Sequence, residues 1–321
     1  MRRRPSFPKR RLQPRNHVHA LASPASLKGV LSARDAAALL AEGFRRGGVE
    51  AKALPIADGG EGTAEVLGAR VRERVRVSDA FGRPRDAPIR ALADGTAVVE
   101  AAEAIPLDPR RLDPLTASSR GLGELIARVE ADRLFVCLGG TANVDGGAGL
   151  REVVRELPAP TTVFCDALVP LRDAARRFAP QKGATPDQVE LLEKQLASLS
   201  ELAPYAEVPG AGAAGGLGAA LAALGAELVP GAREVLDRLS FRDRVREADL
   251  VVTGEGTVDE TTTTGKAPGE ALRVCLDEGT RCVVFGGRVV VELAGAETVA
   301  LSGDPARAAT DLIALGEKLS S

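Results

Sequence analysis

Tryptophan is absent from the 321-residue chain, tyrosine occurs once, and aromatic residues make up only 3% of it. Platforms for stacking nucleic-acid bases are therefore not expected. Neither sign of charge is in excess: 42 Lys and Arg stand against 44 Asp and Glu, a formal net charge of -2. No global basic field is available to hold a polyanion. No apolar run approaches the roughly 20 residues that would cross a bilayer, so a soluble, cytoplasmic protein is expected. Histidine is scarcer still, with only His17 and His19 near the start. A Ser-His-Asp or Cys-His arrangement in the body of the chain is excluded, and proton transfer falls to Asp, Glu or Lys. The four cysteines form no CxxC pair and no metal-ligand spacing. Three lie in apolar, strand-like runs ("LFVCLGG", "TVFCDA", "RCVVFGG") and read as small buried hydrophobes.

What the chain does have is glycine, 35 residues of it, and a hydrophobic content of 45%, enough for two domains with separate cores. The basic, Pro-rich opening over residues 1–17 lacks the apolar stretch of a signal peptide and reads as a disordered tail. From "VHALAS" onward, strand and helix patterns alternate: Ser32 offers an N-cap for "ARDAAALLAEGFRRGG", and "AKALPIADGGEG" runs from a strand into a Gly-rich loop before a helix "TAEVLGARV". The stretch from Arg72 to Ile105 instead alternates β-prone segments with turns at Gly82 and Gly95, as in an antiparallel meander. Near the end the strand–helix rhythm returns. These patterns predict an α/β fold in which residues 18–72 and 240–321 form one discontinuous parallel domain and 73–239 an inserted mixed α+β domain.

Four Gly-rich segments carry charged residues: "IADGGEGT" with Asp58, Gly59, Gly60, Glu61 and Thr63; "GGTANVDGGAG" with Asp145; "PQKGAT" with Lys182; and "VTGEGTVDETTTTGK" with Gly254, Glu255, Gly256, Asp259 and Lys266. Glycines after strands leave backbone N–H groups free for anions, and neighbouring carboxylates can hold Mg²⁺ or accept a hydroxyl proton. Phosphoryl transfer asks for that mixture. "TTTTGK" is not a Walker A loop, since Glu260 stands where Gly is needed and Ala267 where Ser or Thr is needed. The run Gly210–Gly215 matches GxGxxG after a possible strand "YAEVP". The acidic residue of a dinucleotide site is nevertheless missing, Glu227 and Glu234 falling in or beside helical or loop sequence.

Together, "PIADGGEGT", "GGTANVDGGAG", "FAPQKGATPDQ", "PGAGAAGGLGAAL" and "LVVTGEGTVD…GKAP" resemble, in order, the signature blocks of the type I glycerate kinases. The resemblance covers most of the chain from about Leu27 onward. It implies a discontinuous flavodoxin-like α/β domain with a second α+β domain, and ATP-dependent phosphorylation of D-glycerate to 2-phosphoglycerate by a monomer or homodimer. It further implies catalytic roles for Asp58, Asp145, Lys28 and Lys182, and Asp58 or Asp145 as base for the acceptor hydroxyl. Gly59, Gly60, Glu61 and Thr63 would bind substrate. Gly254, Glu255, Gly256, Lys266, Gly212 and Gly215 would bind nucleotide, and Glu255 and Asp259 would hold Mg²⁺. Three features depart from the family pattern: Ala25 stands where an acid is usual, Val144 replaces a polar residue, and the spacer after Gly149 is shortened. They leave two alternatives open, a kinase of another small hydroxy acid and an impaired paralogue that binds ligand or regulates.

Overall fold

A computed structural model describes residues 19–321; the tail expected over 1–17, His17 included, lies outside them. The chain separates into two compact units, one built from the residues up to Ile56 together with Leu236–Ser321, the other from Ala57–Val235. Residues 57–72, expected in the first domain, pack in the second. The short helix Thr63–Val66 there is held by Glu100, whose carboxylate accepts a 2.7 Å hydrogen bond from the N–H of Ala64.

The first unit is a five-stranded parallel sheet. Its strands are β1 (His19–Ala22) and β2 (Glu50–Ala53), and it is completed by three later strands, Leu250–Val258, Arg281–Val289 and Glu297–Ala300. Counted within the unit, their spatial order is 2-1-3-4-5, the flavodoxin-like winding. The helix Ala33–Arg46 forms where predicted: Ser32 caps it by accepting from the N–H of Asp35, and the C-terminal turn carries Arg45 and Arg46. It packs on the helix Ala308–Leu319 with glycine facing glycine. A Cβ at Gly43 would lie 2.1 Å from the Ile313 carbonyl oxygen, and one at Gly316 would lie 2.6 Å from that of Leu40. Gly43→Val should therefore lower stability by about 3 kcal/mol through overpacking, read as a lower midpoint of urea unfolding.

The second unit holds a six-stranded mixed sheet in chain order. It comprises β3 (Arg70–Ser78), β4 (Pro84–Ala91), β5 (Ala97–Glu100), β6 (Leu134–Cys137), β7 (Thr161–Cys165) and β8 (Glu227–Pro230). In the first unit, Leu250–Val258, Arg281–Val289 and Glu297–Ala300 are then β9, β10 and β11. β3, β4 and β5 pair antiparallel, as the turn signals predicted, whereas β5 through β8 are parallel. β5 and β6 are buried along their whole length, and their inward side chains, with Leu122, Leu125 and Leu150, form the principal core. All four cysteines are buried, as expected.

Three local expectations fail for identifiable reasons. The helix predicted over "TAEVLGARV" stops after one turn, because Gly68 takes φ of +79° and the alternating "RVRERVRVS" that follows has the two-residue period of a strand. "YAEVP" is not a strand: Ser200–Tyr205 winds into a 3₁₀ turn, and the Tyr205 hydroxyl donates to the Ala222 carbonyl at 3.2 Å. Glu227, assigned to helix or loop, opens β8, so it stands at the amino end of its strand, not the carboxyl end where a dinucleotide ribose would be bound.

Candidate active site

In a parallel sheet, ligands sit beyond the carboxyl ends of the strands. In the second unit these ends carry Glu100 as the last residue of β5, Gly139–Thr141 just beyond β6 and Asp166 after β7. The loop that begins at Asp58 joins them. A Cβ at Gly59 would strike Gly231 at 2.9 Å and Phe164 at 3.0 Å, and one at Gly139 would come within 2.7 Å of the Gly60 Cα and 3.0 Å of the Asp166 Oδ2. Glycine at these positions lets two loops touch backbone to backbone and lie against Asp166. Gly59 also needs its φ of +93°. Asp58 closes the loop by accepting at Oδ1 from the Gly60 N–H at 3.2 Å, an Asx turn. Glu61 is exposed, with Oε2 3.8 Å from the Cβ position of Gly140, whereas Thr63 is fully buried.

Lys182 lies among the same loops and is only 3% exposed. Its ammonium donates to the Asn143 carbonyl at 2.6 Å and reaches the Thr141 hydroxyl at 3.5 Å. Burial pulls its pKa down to about 8, against the opposing charges of Asp166 and then Asp145. A buried lysine cation at a Gly-rich strand end suits a carboxylate or a phosphoryl group. The 3₁₀ turn Pro180–Lys182 positions it, ended by Gly183 at φ +95°.

Asp145 does not have the geometry of a base. Its Oδ2 accepts from the Ser119 N–H at 2.8 Å, the Ser119 hydroxyl at 2.7 Å and the Gly149 N–H at 3.2 Å. Oδ1 accepts from Asn143 Nδ2 at 2.9 Å and the Gly147 N–H at 3.1 Å. A carboxylate offers about four lone-pair sites, and these five donors use them. Asp145 is a clamp for the loop 143–149. Gly212 and Gly215, expected at the nucleotide, serve close packing: Cβ atoms there would lie 2.4 Å from the Pro170 carbonyl oxygen and 2.3 Å from that of Asn143. Both glycines are buried and let loops pack, and Gly215 adopts φ of +69° inside a kinked helix, Ala213–Ala223.

The first unit gathers the other predicted residues. The chain after β1 continues alongside β9, the Ala25 N–H donating to the Gly254 carbonyl at 2.9 Å. Ala25 and the exposed Lys28 thus flank Gly254–Gly256, with the Lys28 backbone nitrogen 4.0 Å from the Cβ position of Gly256. Gly254 packs on Phe285, where a Cβ would lie 2.3 Å from a carbonyl oxygen, while Gly256 opens on space. Lys266 Nζ lies 3.3 Å from Glu255 and 3.6 Å from Asp259. The Thr262 hydroxyl donates to Glu255 at 2.7 Å, and Asp259 caps the turn Glu260–Thr263. The Thr261 hydroxyl bond, aided by its N–H and by Lys266, lowers the Asp259 pKa. Among the described residues no three His, Cys, Asp or Glu side chains converge as a metal cage. Two carboxylates with threonine hydroxyls are nevertheless hard oxygen donors, the sparse set that Mg²⁺ completes with water and phosphate oxygens. The residues fit such an ion.

Glu100, Ser119, Thr141, Asn143 and Asp166 were not singled out from sequence. Burial raises the Glu100 pKa, opposed by the bond from Ala64 and by Arg90 at 3.8 Å. An acid ending an all-apolar run, as in "AVVE" and "TVFCD", was the available signal.

The model of the glycerate kinase family matches residues 20–157 and 157–304; the two stretches meet between Val153 and Thr161, in the short connection read as a shortened spacer. The chain is 35% identical over 303 residues to the glycerate kinase of Bacillus subtilis (strain 168), covering 77% of this chain and 78% of that one. It is 34% identical over 302 residues to the glycerate 2-kinase of Escherichia coli (strain K12), covering 77% and 79%. A solved Salmonella typhimurium LT2 structure described as glycerate kinase 2 superposes with a TM-score of 0.75 at 28% identity, covering 95% of this chain and 98% of that one. The chain belongs to the glycerate kinase family and is a kinase.

Proposed function

We propose that the protein transfers the γ-phosphoryl group of ATP to the 2-hydroxyl of D-glycerate, in the cytoplasm, with Mg²⁺, as a monomer or homodimer. The observation that carries this reading is Lys182, a buried cation within hydrogen-bond reach of Thr141 and Asn143, at the strand ends where Asp58, Gly60, Gly139 and Asp166 come together. The ammonium neutralises the acceptor's carboxylate or the charge that develops on the transferred group. Gly59, Gly60 and Glu61 shape the acceptor's surroundings. Glu255 and Asp259 would hold Mg²⁺, which supplies charge neutralisation at the phosphates. Lys266 sits on the same two carboxylates, and the exposed Lys28, whose backbone nitrogen lies near Gly256, would supply a second cation for phosphate oxygens. In the units as folded, Ala25 brings no charge to this cluster, and the carboxylates there are those of Glu255 and Asp259.

The reading is tested by following ADP release with purified protein, ATP and Mg²⁺, with and without D-glycerate. ADP release that requires glycerate is expected. Release that is equal without an acceptor, or that appears only with a different hydroxy acid, contradicts the substrate assignment.

A further inference from the structure

We propose that Glu100 positions the acceptor-binding loop 58–62: its buried carboxylate holds the loop's exit in the one conformation that presents Gly59, Gly60 and Glu61 to glycerate. The role in acceptor binding rests on the kinase reading given above. A loop with left-handed glycines at Gly59, φ +93°, and Gly62, φ +86°, is costly to order. Its own hydrogen bonds are long. The Gly60 N–H donates to Asp58 Oδ1 at 3.2 Å, and the Thr63 N–H donates to the Gly60 carbonyl at 3.3 Å. The short one comes from outside, where the Ala64 N–H donates to Glu100 Oε1 at 2.7 Å across 36 residues of chain. A hydrogen bond to an ionised acceptor, away from water, is among the stronger kinds.

Two further observations single out this carboxylate. Glu100 stands at the N-cap of the short helix Ala101–Ala104, yet its side chain makes no capping bond there. The acceptor is given to the loop instead. The residue is only 3% exposed, and a buried carboxylate is retained at a cost unless it is paired. Its counter-charge is Arg90 on β4, whose Nη1 lies 3.8 Å from Glu100 Oε2 while Nη2 donates to Glu103 at 2.7 Å. The helix that Glu100 opens also lies against the second strand-end loop. A Cβ at Gly140 would sit 3.3 Å from the Ala102 Cβ and 3.8 Å from Glu61 Oε2. Glu100 thus stands where the two Gly-rich loops meet and acts through them, as a positioning residue.

Three substitutions separate reach from charge. Glu100→Gln keeps an oxygen that can accept from the Ala64 N–H, Glu100→Met fills similar volume without one, and Glu100→Asp keeps the charge but draws it back by one methylene. Loss of a hydrogen bond to a charged group is worth about 10- to 100-fold, and Glu100→Met should raise the KM for glycerate by that factor. kcat and the KM for ATP should stay within about threefold of wild type, since the loop serves the acceptor alone. Glu100→Asp should behave like Glu100→Met, and Glu100→Gln should recover most of the loss. Amide exchange over residues 58–66 should quicken in the Met and Asp variants while the slowest core amides keep their wild-type rates. Should Glu100→Met fail to fold, Glu100→Asp decides. A wild-type KM in the Asp variant, a fall in kcat alone, or unchanged exchange over 58–66 assigns Glu100 to the fold only and overturns the proposal, leaving the kinase reading intact. A wild-type protein without glycerate-dependent turnover overturns the kinase reading itself, whereas the exchange rates judge the hold on the loop without any turnover.

Discussion

Lys182→Met is expected to lower kcat/KM for glycerate by about 10³-fold while leaving the fold intact, since one preorganised charge in a dry site is worth about that much. The lysine is 3% exposed and its ammonium meets two oxygen acceptors, Asn143 O and Thr141 Oγ1. Methionine fills similar volume but leaves the Asn143 carbonyl without its donor and the nearby carboxylates without their cation, so stability should fall by about 1–3 kcal/mol while the fold is kept. The wild-type pH profile carries the same signature. Burial holds Lys182 at about 8, below its ordinary 10.5, so the free enzyme loses the cation as pH rises through about 8. kcat/KM should then fall about tenfold per pH unit on the alkaline side. The stability contribution has the opposite sign. Between those two values the unfolded chain binds a proton that the folded chain does not, so this group makes folding more favourable as pH rises. Activity falling while stability rises separates loss of the Lys182 charge from simple alkaline denaturation. A flat kcat/KM profile to pH 9.5, or a Met variant within threefold of wild type, would remove Lys182 from the site.

Asp145→Asn should act chiefly on stability. The substitution turns one carboxylate oxygen into an NH₂ facing donors from Ser119, Asn143, Gly147 and Gly149. At least one half-buried donor is then left facing another, at a cost of about 3 kcal/mol. That is a large share of the roughly 5–15 kcal/mol holding a typical domain, and a clear drop in the urea midpoint is expected. The variant that remains folded should keep most of its turnover below pH 8. Its alkaline limb should move to lower pH, because Asp145 is one of the two carboxylates supporting the Lys182 charge. Unchanged stability with a 10³-fold slower rate would return Asp145 to the role of base.

The outline of the fold was legible because its signals are local. Ser32 capping the helix Ala33–Arg46, the apolar runs that become β6, β7 and β10, and the turns at Gly82 and Gly95 that fold β3, β4 and β5 against one another all declare themselves within a few residues. The candidate site was half legible. Its glycines and charged residues stood out, but what each does depends on contacts made far along the chain. Asp145 resembles a catalytic acid until Ser119, 26 residues away, is seen to occupy it. Gly212 and Gly215 imitate a nucleotide fingerprint, yet their missing side chains make room for the backbone near Pro170 and Asn143. Glu100 and Asp166 stayed hidden for the converse reason. Glu100 closes β5 and Asp166 follows β7, and nothing in such an apolar run tells which terminal acid will lie against the Gly-rich loops. The kink over Ala214–Gly216, with three consecutive positive φ angles, depends on packing against the backbone of Asn143–Gly146 and is not declared by the local sequence.

The account as a whole meets its most direct test in a ³¹P NMR spectrum of the protein incubated with ATP, Mg²⁺ and D-glycerate. It predicts that the γ-phosphate signal is replaced by a phosphomonoester resonance coupled to the single proton on glycerate C2. Coupling to two protons would move the product to the 3-hydroxyl. Unchanged ATP, or inorganic phosphate alone, would contradict transfer to glycerate altogether.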